Sequence, residues 1–83
     1  MRTKIKIVGL GDRRKGVSPK NNRAYDFVPV SFVYEDKFVN GLKAATSNVG
    51  GEMLDAVGGV KLNEEREIFY HTYNNAVVVD GIL

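Results

Sequence analysis

Between Arg13 and Arg23 the chain places five cations: Arg13, Arg14, Lys15, Lys20 and Arg23. Tyr25 follows two residues later, and Phe27 two residues after that. Cations that track phosphates and ring faces that stack on bases are the two devices that hold single strands without reading their sequence. Tyr25 and Phe27 share one face of a strand, and aromatic strand residues also serve as core. Val28, Val30 and Phe32 supply a better core, which leaves the aromatic pair facing outward. Tyr73, beside Asn74-Asn75 at a hairpin tip, is a further candidate for stacking. Tyr34 and Tyr70 read as structural.

Net charge over the 83 residues is only +2, but its distribution is uneven. Residues 1–23 carry eight cations against Asp12 alone, a net of +7, and residues 24–83 carry four cations against nine acids, a net of −5. Such asymmetry implies one face made for a polyanion.

Other chemistry is poorly supplied. "IVGLGDRRKG", Ile7–Gly16, follows a strand with glycines, as dinucleotide-binding folds do. The fingerprint needs G-x-G-x-x-G opening a helix. Here Gly9, Gly11 and Gly16 have the wrong spacing, and Pro19, Asn21 and Asn22 leave no ground for a helix. The glycines are better read as letting a first strand bend. There is no cysteine, and His71 has no evident partner for metal binding or general-base work. No enzymatic activity, metal or cofactor is expected. "NEERE", Asn63–Glu67, reads as a solvated turn.

The elements that must position these residues are mostly strands. Thr3–Val8 alternates, with Ile5 and Ile7 on one side and Lys4 and Lys6 on the other. Asp12–Arg23 is rich in turn residues and reads as a long hairpin loop. Ala24–Val39 reads as a long strand, bulged or at an edge because Pro29 cannot donate to a ladder. In Asn40–Val60, "EMLDAV" is either a short helix stopped by Gly58 or part of an irregular loop. Ile68–Tyr73 and Ala76–Leu83 flank Asn74-Asn75, a hairpin signal. About five strands, at most one short helix and long hairpins in one domain, residues 1–83, suggest a small all-β barrel.

The stretch "RRKGVSPKNNRAYDF", Arg13–Phe27, resembles the DNA-binding hairpin of the small single-stranded DNA-binding proteins of filamentous phages, the gene-five type. Plasmid and mobile-element relatives share the pattern. In that family an Arg- and Lys-bearing loop with a Gly-x-Ser turn leads into a strand that opens with Tyr. Arg14, Gly16, Ser18, Lys20, Arg23 and Tyr25 match those features, and Phe27 stands where an apolar residue packs on bases. The resemblance implies a five-stranded OB-like barrel with a protruding basic hairpin, a homodimer, and cooperative coating of single-stranded DNA in phage or mobile-element replication.

A domain this small, without staples and with the apolar stretch "NAVVVDGIL", independently suggests self-association. An RNA-binding module, or an interaction module whose basic loop takes an acidic protein, is the alternative. No apolar run is long enough to span a membrane, and "MRTKIK" lacks the apolar centre of a signal peptide. The expected setting is the cytoplasm, the host's if the protein is phage-encoded.

Overall fold

The computed structural model describes residues 1–36 and 41–83. Its elements are β1 (Arg2–Leu10), β2 (Arg14–Val17), β3 (Ala24–Asp36), β4 (Gly41–Gly50), α1 (Gly51–Ala56), β5 (Glu65–Tyr73) and β6 (Ala76–Ile82). All ladders are antiparallel, in the order β2-β3-β1-β5-β6, with β4 on the other edge of β3.

Alternation dictates most of this. Ile5 and Ile7 are buried while Lys4 and Lys6 are exposed, the period of a half-buried strand. Val30 and Phe32 of β3, Val49 of β4, Ile68 of β5 and Val77 and Val79 of β6 join them in one core, and Leu54 of α1 caps it. Val77 and Val79 of the apolar C-terminal stretch are therefore used inside the chain's own core, with Ile82 packed against it and Val78 and Leu83 left exposed.

Two stretches differ from expectation. Arg14–Val17 is a strand rather than loop, because it continues the β1 side of the hairpin after an interruption at residues 11–13. Gly41–Gly50 is also a strand. Its Ala, Ser and Asn residues favour strands weakly, and ten residues of pairing with β3 override that preference. The expected five-stranded barrel is accordingly corrected to a six-stranded all-β sheet that no ladder closes. β4 and β6 lie against one another without ladder pairing among the described residues.

Pro29 sits neither at an edge nor in a bulge of its own strand. The bulge is on the facing chain, where register slips between Leu10↔Val30 and Arg14↔Phe27, and the Pro29 carbonyl accepts from the Gly11 N–H at 2.8 Å. A proline needs no partner for an absent donor there. β1 itself slips register between Ile7 and Gly9, the bend its glycines suggested. The expected strand end at residues 37–39 lies outside the described residues.

The short helix forms and stops where Gly58 and Gly59 adopt positive φ, with the Gly59 N–H donating to the Leu54 carbonyl at 2.8 Å. Asn74 and Asn75 both take positive φ in the β5–β6 turn, as a two-residue hairpin loop requires. Asn63–Glu67 is not simply a solvated turn: Glu65 opens β5, and the part-buried Arg66 donates to the carbonyls of Leu83 and Gly59 and pairs with Glu64.

Candidate nucleic-acid interface

β2 and the start of β3 form a two-stranded arm closed by the turn at residues 18–23. The Ser18 N–H donates to the Arg23 carbonyl at 2.9 Å, the Asn22 N–H donates to the Ser18 carbonyl, and Asn22 takes positive φ. The arm projects: β2 touches no element but β3 among the described residues.

Strand alternation divides the arm into two faces. On one, Arg14 stands opposite Phe27 and Gly16 opposite Tyr25. The phenol end of Tyr25 lies over Gly16, where a Cβ would come within 2.5 Å of the phenol oxygen, so only glycine leaves the side chain room there. Tyr25 is 43% exposed, and its ring stands 5.9 Å from that of the half-buried Phe27. The same face continues onto the sheet, where Asn48 pairs opposite Pro29 and Ser31 shares a hydrogen bond of 2.9 Å with Thr46. These polar residues were not identified from sequence because β4 itself was not.

On the other face Lys15 stands opposite Asp26, with its Nζ 4.0 Å from the carboxylate and its side chain well exposed. Lys20 and Arg23 occupy the turn. Among the described residues Arg14, Lys20 and Arg23 have no carboxylate partner.

Arg13 is placed differently. Its guanidinium makes a two-pronged pair with Asp26 at 2.8 and 2.7 Å, and a second with Asp55 of α1 at 3.0 and 3.1 Å. The hydrogen bonds that Arg13 donates to Asp26 and then to Asp55 raise its pKa, and Arg13 in turn holds the Asp26 carboxyl below its ordinary range.

The cations of β1 are also answered. Arg2 pairs with Glu67 and lies 5.3 Å over the Phe69 ring, while Lys4 and Lys6 face Glu67 and Glu65 directly in register. The net charge of residues 1–23 therefore resolves into a partly neutralised strand and an arm in which Arg14, Lys20 and Arg23 have no carboxylate partner among the described residues.

Tyr73 is 68% exposed at the end of β5, but it is not brought to the arm. β5 runs antiparallel to β1 and passes Arg2 at Phe69, so Tyr73 lies beyond one end of β1 while the arm leaves from the other. His71 has a hydrogen-bond partner that was not evident in sequence: its Nδ1 lies 2.8 Å from both carboxylate oxygens of Asp80 on the neighbouring strand, as for a satisfied structural histidine. Among the described residues no group of three or more His, Asp or Glu is arranged to hold a metal ion, and no helix is long and apolar enough to cross a membrane. Comparison of the chain with protein-family models, curated proteins and solved structures finds no match.

Proposed function

We propose that this chain binds single-stranded DNA without sequence preference, gripping phosphates with the arm and stacking bases on its rings. Arg14, Lys15, Lys20 and Arg23 supply the cations, and Tyr25 and Phe27 supply the faces. The observation that carries the reading is their juxtaposition. A projecting ribbon bears three cations without carboxylate partners among the described residues, and on one face an exposed ring reaches over a glycine.

The proposal extends to the fold and the assembly. The sheet path β4-β3-β1-β5-β6, with β4 against β6, is read as an OB-like barrel left open at that seam, a class of fold that binds oligonucleotides on its sheet face and adjoining loops. The protein acts as a homodimer of the gene-five type in phage or mobile-element replication, in the cytoplasm. The dimer rests on the small core of one domain.

Fluorescence titration with poly-dT, duplex DNA of equal length and poly-rU tests the reading. Poly-dT is expected to bind more tightly than duplex at moderate salt, because paired bases present no free faces. Equal affinity for duplex would remove stacking from the account, and preference for poly-rU would make the protein an RNA binder. Sedimentation showing only a 9.2 kDa species at micromolar concentration would remove the dimer.

A further inference from the structure

An isolated two-stranded ribbon is marginally stable and poorly oriented in water. The arm is such a ribbon, since β2 rests on β3 alone, and the ladder is interrupted at its base between Leu10 and Arg14. Something must hold its angle to the sheet if Tyr25 and Phe27 are to meet a strand that also follows the sheet face.

We propose that Arg13 is the positioning residue of the arm, clamping its base to β3 through Asp26 and to α1 through Asp55. Arg13 lies within the interruption itself, at the hinge between β1 and β2. Its planar fork meets two carboxylates at once, with four contacts between 2.7 and 3.1 Å, a geometry that guanidinium supplies and ammonium does not. The far anchor is firm, because Leu54, next to Asp55, is buried in the core. The space is also tailored: Gly51 at the start of α1 is buried, and a Cβ there would run into Asp26 and Arg13. Lys15 also faces Asp26, but from 4.0 Å and with an exposed side chain, so it does not replace the fork. Arg13 thus serves binding through the arm and not as a phosphate contact.

The binding half of the test rests on the single-strand reading; the rigidity half does not. Asp55→Asn and Arg13→Lys are compared with wild type by 15N relaxation of the amides of residues 14–25 and by salt-resolved poly-dT titration. Asp55 is an exposed side chain on a helix end, and a thermal melt checks that its variant remains folded. Order parameters in the arm are expected to fall from the rigid range near 0.85 towards about 0.6 in both variants. Poly-dT affinity is expected to drop by about 3–10-fold as the arm's ordering is charged to binding, with the salt slope unchanged.

The sign is informative, since Asp55→Asn removes a negative charge beside the arm and by Coulomb attraction alone would tighten a polyanion. Tighter binding with a steeper slope would mean a freed Arg13 reaches phosphate, and would overturn the clamp. Unchanged arm order in both variants would overturn it as well. A looser arm in a protein whose wild type binds no poly-dT would uphold the clamp and overturn the single-strand reading.

Discussion

Replacing Lys20 and Arg23 together by Ala should flatten the salt dependence of poly-dT binding, and replacing Lys4 and Lys6 should not. Both pairs belong to the same basic N-terminal stretch, but the structure gives them different surroundings. Lys4 and Lys6 stand opposite Glu67 and Glu65, whereas Lys20 and Arg23 lie in the arm's turn without a carboxylate partner among the described residues. On single strands log K falls with log salt by about 0.7 per neutralised phosphate. Losing two phosphate contacts therefore flattens the slope by about 1.4 units, so the affinity gap to wild type narrows about sevenfold between 50 and 200 mM salt. Anisotropy titrations of a labelled dT oligomer across that range, beside thermal melts, read both quantities. An equal or larger change of slope on losing Lys4 and Lys6 would refute the reasoning and put the phosphates on β1.

Tyr25→Ala should cost roughly 1–3 kcal/mol of poly-dT affinity at an unchanged salt slope, and Tyr25→Phe should be mild, because the ring is what binds. The ring covers Gly16 and not the core, so the melting temperature should fall by no more than about 8 °C, equivalent to ~1 kcal/mol in a domain this size; an affinity loss that merely tracks unfolding would contradict this. Gly51→Ala should destabilise by about 1–3 kcal/mol in denaturant titration, since its Cβ would have to displace the Arg13–Asp26 pair; a neutral result would mean that the packing there is loose. Hydrogen bonds from Arg13 to Asp26 and from Arg2 to Glu67 hold both carboxyls below their ordinary values. The folded state therefore binds fewer protons than the unfolded one, and the stability these pairs add is present at neutral pH and lost as pH falls from the ordinary carboxyl range, about 4, down through the lowered folded values. Melts across pH 3–7 should show that acid limb, less steep in Asp26→Asn; a flat profile would contradict the pairings.

The legible parts of the sequence were those in which local pattern and tertiary setting agree. Ile5 and Ile7 against Lys4 and Lys6, Val30 and Phe32 in β3, Val77 and Val79 in β6, and the two asparagines of the last hairpin all carry period or turn chemistry in the residues themselves. β4 was not legible, because Ala44, Ala45, Ser47 and Asn48 become strand only through β3 beside them. With β4 went the polar continuation of the Tyr25 face. Arg13 looked like one more member of a basic run, since nothing in sequence brings Asp55, forty-two residues away, to its side. His71 looked unpartnered for the same reason: Asp80 reaches it only across a hairpin.

Amide chemical-shift mapping with a short dT oligomer tests the central claim most directly. The account predicts that the largest changes fall on residues 14–27, grouped around Arg14, Gly16, Lys20, Arg23, Tyr25 and Phe27, while His71 and Asp80 on β5 and β6 stay nearly still. Changes confined to β5 and β6, with an arm that does not respond to the oligomer, would contradict it.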